Sequence, residues 1–208
     1  MSAALHPAAA VRADARRGAF ATAGRRFRGL FKINPKEASF QARGFAACVD
    51  ARRRLEGIGE TFLFGFNHAL IEDDLEALQR AIEPIDLDRR GFAVEGAAMG
   101  AAVADALMLG GSRLASWMRY SNSAYTYLAH VGAGWALARV PWRRASILRS
   151  CDAVHGWLVF DGLGFHDVYF TSEKIFGGWR RLKHQYAARA YDQGVGRALW
   201  FAAGADID

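Results

Sequence analysis

The stretch GFAVEGAAMGAAVA, residues 91 to 104, holds one charged side chain, Glu95, among glycines, alanines and a few larger apolar groups. Alanine favours the helix, and a helix faced with Ala93, Gly96, Ala97, Gly100, Ala101 and Ala104 is thin enough for other backbones to approach it closely. Such a helix belongs at the centre of a packed helical protein. A lone carboxylate on it carries a desolvation cost unless it is paired, neutralised or turned to a solvated pocket.

The remainder of the chain fits that requirement. With 208 residues, 52% of them hydrophobic, it is long enough to build a sizeable core. The apolar runs are broken by charge, as by Glu95 and Asp105 between Phe92 and Leu109, so none reads as a membrane span. The net charge of +6 is unevenly distributed. Residues 1 to 54 carry 12 basic and 3 acidic groups, residues 55 to 95 carry 3 and 10, and the rest 12 and 8. Without a zinc-finger spacing or an aromatic single-strand platform, this pattern argues against a nucleic-acid domain. Two cysteines, Cys48 and Cys151, make no disulfide framework and suit a cytoplasmic protein. Arg16-Arg17 and Arg25-Arg26 are not followed by the apolar segment an export signal needs.

Along the chain, residues 1 to 24 lack apolar periodicity and predict a flexible basic tail. RRFRGLFKI, residues 25 to 33, sets Phe27, Leu30 and Phe31 among basic residues as a short amphipathic helix, expected to pack on its own domain. Asn34 as cap, Pro35 at the first position and Glu37 as capping-box carboxylate predict a helix running to Leu55. One or two helices are predicted between Ile58 and Pro84, a small-residue helix over 92–109 ending at Gly110-Gly111, and a long one from Leu114 through Ser121 and Trp135 to Pro141. Beyond Cys151, WLVFDGLGFHDVYF leaves helix and strand level.

An internal echo accompanies this pattern. FGFNH (64–68) resembles LGFHD (163–167), GFA (91–93) resembles GVG (194–196), and MGAAVAD (99–105) resembles WFAAGAD (200–206), at offsets of 99, 103 and 101. The fold class expected is mainly α, in two divergent pseudo-repeats of about 100 residues. The N-terminal unit is predicted over 25–141, and the second, over 142–208, is expected to be cut short, since no counterpart of the helix from Ser112 to Arg139 precedes Asp208.

The motifs GLFKINPKEASFQARGF (29–45), LEGIGETF (55–62), RGFAVEGAAM (90–99), HVGAGWALAR (130–139), DGLGFH (161–166) and YDQGVGRALWF (191–201) together resemble an uncharacterised bacterial family, the domain of unknown function 1702. Its members are often encoded beside the iterative polyketide synthases of enediyne biosynthesis. That resemblance implies an accessory role in bacterial secondary metabolism and supplies no catalytic residue.

Three function classes follow. In the first, an apolar interior formed by Phe62, Phe66, Trp117, Tyr125 and Trp135 binds a long polyketide or polyene intermediate or a partner protein. Its polar centre is Glu95, with Asp105 and with Arg197, which the echo offers as the ion-pair partner of Glu95. In the second, a metal-dependent enzyme tailors such an intermediate. His68 and Glu72, at i and i+4, share a helix face, and Glu95, His130, His166 or Asp161 complete the ligand set. In the third, residues 25–33 attach a peripheral protein to an anionic membrane. No motif indicates a cofactor. DGLGF and QGVGR depart from phosphate-binding loops and predict close helix packing instead.

Overall fold

The computed structural model describes residues 7–108, 111–120, 123–175 and 182–205. Its helices are α1 (Pro7–Gly29), α2 (Phe40–Arg43), α3 (Val49–Ile71), α4 (Leu75–Ile82), α5 (Leu87–Leu107), α6 (Arg113–Tyr120), α7 (Thr126–Arg139), α8 (Arg144–Ser150), α9 (Leu158–Ile175) and α10 (Gln185–Ala202). Among the described residues there is no strand, so the fold is mainly α. No helix described is long and apolar enough to cross a membrane.

Glycine sets the order of packing. α5 lies against α3 on one side and α7 on the other, α7 lies against α9, and α9 against α10. At each crossing a glycine rests on a carbonyl of the neighbour. A Cβ added to Gly96 would come within 1.9 Å of the Phe62 carbonyl, and one added to Gly65 within 1.9 Å of that of Ala93. The same reciprocity joins α9 to α10, where Gly164 meets the Tyr191 carbonyl at 2.2 Å and Gly194 that of Asp161 at 1.8 Å. Residues 91, 93–94 and 96–104 of α5 are all buried, as its thinness predicts.

The row of helices is closed at its ends by the segment between α1 and α3. Asn67 of α3 clamps Ile33 from both sides, accepting its N–H at 2.9 Å and donating to its carbonyl at 2.8 Å. Further on, the Phe40 ring meets Phe201 of α10 at 5.7 Å, and Ala47 packs on Gly204 just beyond α10.

Several predicted elements differ. Where a tail is predicted through residue 24, the chain is helical from Pro7. Asn34 caps as expected, accepting the Lys36 N–H, but the helix it opens is one 3-10 turn, Pro35–Ala38. Ser39 caps α2, which stops at Gly44 with φ of 69°, a left-handed conformation that costs glycine little. Glu37 pairs with Arg43 rather than closing a capping box. The long helix to Pro141 is two, α6 and α7, with a 3-10 turn at Ser123–Tyr125. Ser121, Gly110 and Asp206 lie outside the described residues. DGLGF and QGVGR fall inside α9 and α10, because Gly162, Gly164 and Gly194 serve interhelical approach instead of turning the chain.

The stretch 25–33 packs on α3 as expected, but through Arg28 rather than Phe27, Leu30 and Phe31. Arg28, 4% exposed, turns inward, donating from Nε to the Leu70 carbonyl at 2.8 Å and pairing with Asp73. Arg113 of α6 joins it on the Ala69 and Glu72 carbonyls, so two guanidiniums satisfy the C-terminal carbonyls of α3 and its negative dipole end. Phe27, Leu30 and Phe31 remain exposed to solvent.

Candidate functional site

Thinness places Glu95. Gly132 of α7 sits on the Glu95 carbonyl, where a Cβ would lie 2.0 Å away. With the backbones so close, Trp135, three residues further along α7, lies over α5 and donates its Nε1–H to Glu95 Oε1 at 3.0 Å. Oε2 has no hydrogen-bond partner among the described residues, and the side chain lines a cavity of about 440 Å³. This volume is within the range of small-molecule sites.

The cavity lies between α3, α5, α7, α9, α10 and the segment at Ile33–Ala38, and its walls are largely aromatic. The Trp135 ring is the hub, 4.6 Å from Phe62, 5.2 Å from Phe165, 5.7 Å from Tyr169 and 6.1 Å from Phe170, centre to centre. Phe201 meets Phe165 at 6.0 Å, and Phe92 completes the lining beside Glu95. Guanidiniums sit against these rings: Arg43 over Phe170 at 4.4 Å, Arg139 over Phe170 at 4.7 Å and Arg197 over Phe165 at 5.2 Å.

Burial in these surroundings pushes the Glu95 carboxyl up to about 7, although the Arg197 charge and the Trp135 hydrogen bond pull the other way. Arg197 lines the same cavity, but its ion-pair partner is Asp161 of α9, which also accepts from Gln193 Nε2 at 2.7 Å. Burial raises the Asp161 carboxyl, and Arg197 and Gln193 draw it back. The expected direct pair of Glu95 with Arg197 is thereby corrected. α9 runs beside α10 and brings Asp161 to Arg197, whereas Glu95 is taken by Trp135. The cavity thus offers a mainly apolar enclosure, a carboxyl able to gain or lose a proton near neutrality, and the guanidiniums of Arg197 and Arg54.

A family model described as protein of unknown function (DUF1702) matches residues 22–208. The chain belongs to the DUF1702 family. No curated protein and no solved structure matches it.

In this DUF1702 protein the sequence candidates separate. Phe62 and Trp135 line the cavity; Phe66, Trp117 and Tyr125 do not. Trp117 is fully buried with its Nε1–H on the Val94 carbonyl, Phe66 packs in the core and Tyr125 packs near Gly91. Asp105 stands apart from the polar centre. It accepts the Arg113 and Leu114 N–H groups and so starts α6.

The metal candidates do not converge, and among the described residues no group of three His, Cys, Asp or Glu side chains is arranged to hold an ion. His68 bonds back to the Phe64 carbonyl, and Glu72 accepts the Asp73 and Asp74 N–H groups. His130 is held by the Thr126 carbonyl and Asp152, and His166 lies beside Arg139. Sequence reasoning missed Phe165, Tyr169 and Phe170 because the α9 stretch is equally compatible with a strand. Their i, i+4, i+5 spacing is the signal that a helical reading exposes. Burial pushes the Cys151 thiol up to about 12, which disfavours the thiolate form.

Proposed function

We propose that this DUF1702 protein binds a small apolar, conjugated molecule in the Trp135 cavity, as an accessory protein of bacterial secondary metabolism in an enediyne-type polyketide context. The observation that carries the reading is an aromatic enclosure of about 440 Å³ whose rings pack around Trp135. Flat rings suit a flat, unsaturated ligand, which stacks or meets them edge-on. The biosynthetic context rests on the family resemblance alone. Titration with linear polyenes is expected to quench tryptophan fluorescence and raise the melting temperature, and Ile58→Arg, which sets a charge in the lining, is expected to remove both responses. Absence of any response across polyenes of several lengths would sink the reading.

We also propose that the chain consists of two divergent repeats. The support is the matched geometry of Gly65 with Gly96 and Gly164 with Gly194, each pair resting on the partner helix's carbonyls. On that alignment Gln193, rather than Arg197, is the counterpart of Glu95.

A second reading, peripheral attachment to an anionic membrane, has its own observation. Leu30 is 79% exposed, next to Phe27 and Phe31 and among Arg25, Arg26 and Lys32. Vesicles containing phosphatidylserine are expected to retain the protein at low salt and release Phe27→Ser/Leu30→Ser/Phe31→Ser. Equal retention of both proteins would dispose of this reading.

A further inference from the structure

We propose that the cavity is a catalytic site for proton transfer beside a carbonyl, in which Glu95 removes and returns a proton on carbon and Arg197 holds the developing oxyanion. The proposal rests on the cavity binding an apolar conjugated molecule and names the reactive feature of that molecule, an enolisable ketone.

Glu95 is 3% exposed and one of its oxygens is fixed by Trp135, which leaves Oε2, on the wall of the cavity, without a hydrogen-bond partner among the described residues. A carboxyl kept only for helix packing would have both oxygens satisfied, as Asp105 and Asp161 do. Arg197 commits Nη1 to Asp161, while Nε and Nη2 have no hydrogen-bond partner among the described residues. Beside Glu37, which pairs with Arg43, and Arg54, the mainly apolar wall therefore presents Glu95 as proton acceptor and Arg197 with uncommitted donors.

Bound between them, a ketone loses an α-hydrogen as a proton to Glu95 Oε2. The C–H pair becomes the new C=C, and the carbonyl π pair moves to oxygen as an enolate facing Arg197. Return of the proton to the same carbon exchanges it. In a β,γ-unsaturated ketone, return to the γ-carbon shifts the double bond into conjugation. Electrons balance, and no oxidant or co-reactant is needed. The groups whose charge bears on Glu95 are Arg197 of α10 and Asp161 of α9, with Trp135 of α7 as hydrogen-bond donor. Glu37 and Arg54 also line the cavity. A carboxyl poised at about 7 suits this task, being ionised in part at neutral pH and strong enough as a base to reach a carbon acid in a dry site.

The experiment uses β-ionone, an apolar conjugated ketone, as probe. Binding is followed by tryptophan fluorescence, and hydrogen exchange in D₂O by mass spectrometry. The wild-type protein is expected to accelerate deuterium uptake about 100-fold over buffer. The rate should rise as pH passes about 7, where Glu95 ionises. Glu95→Gln, which keeps an oxygen for Trp135, is expected to bind β-ionone within a few-fold of wild type and to exchange at the buffer rate. Glu95→Asp is expected to retain a fraction of the acceleration. Binding without acceleration by the wild type, or undiminished acceleration by a folded Glu95→Gln, overturns the catalytic proposal and leaves ligand binding standing. No binding by the wild type removes both.

Discussion

Glu95 and Asp105 lie ten residues apart on one helix, both buried, and their partners separate their roles. Asp105 accepts two backbone N–H groups and holds the start of α6, so its value is structural. Asp105→Ala is expected to cost about 1–3 kcal/mol, seen as a lower melting temperature with no change in ligand response. For Glu95 the sign follows from its elevated folded value. Below about pH 4.5 folded and unfolded chains both hold the proton, and burial carries no ionisation cost. Between there and about 7 the unfolded chain ionises first and stability falls as pH rises; above about 7 the loss is complete. The loss is on the order of 3 kcal/mol. Glu95→Gln is therefore expected to melt with the wild type near pH 4 and clearly above it at pH 8. A difference between the two proteins that does not vary with pH would contradict this assignment.

At the scale of elements, glycines decide which helices touch. In α10, Gly194 rests on the Asp161 carbonyl at 1.8 Å for an added Cβ, while Gly196, two residues on, meets nothing within 4 Å among the described residues. Gly194→Ala is expected to force α9 and α10 apart and lower the melting temperature by many degrees, since the obstructing atom is backbone. Gly196→Ala is expected to stabilise by up to about 1 kcal/mol through helix propensity. Similar melting temperatures for the two variants would mean that the close crossing does not hold α10. The same reasoning explains why a glycine-containing stretch such as DGLGF is helical: its glycines stand where neighbouring backbones approach.

Across the whole molecule, the cavity exists because a row of helices is closed by the segment from Ile33 to Ala47. Phe201 connects that segment to α10 and α9, meeting Phe40, Phe165 and Tyr169. Phe201→Ala is expected to cost about 3–5 kcal/mol and to weaken polyene binding beyond what the lost ring contact explains, because the closure loosens. Unchanged affinity in a destabilised Phe201→Ala would indicate a cavity independent of the closing segment.

The helical class, the central thin helix and the burial of Glu95 were legible in the sequence, because small residues at helical spacing bind the chain to close packing wherever its partners lie. Phe62 and Trp135 were legible as aromatic candidates for the same local reason. Which carboxylate Arg197 meets, which oxygen of Glu95 stays open, and that Phe66 and Trp117 face core instead of cavity were decided by tertiary structure alone. Each depends on the rotation of one helix against another. A repeat of 3.6 residues assigns a side chain to a face, and only the packed neighbours determine whether that face meets a protein core, a charge or an empty space.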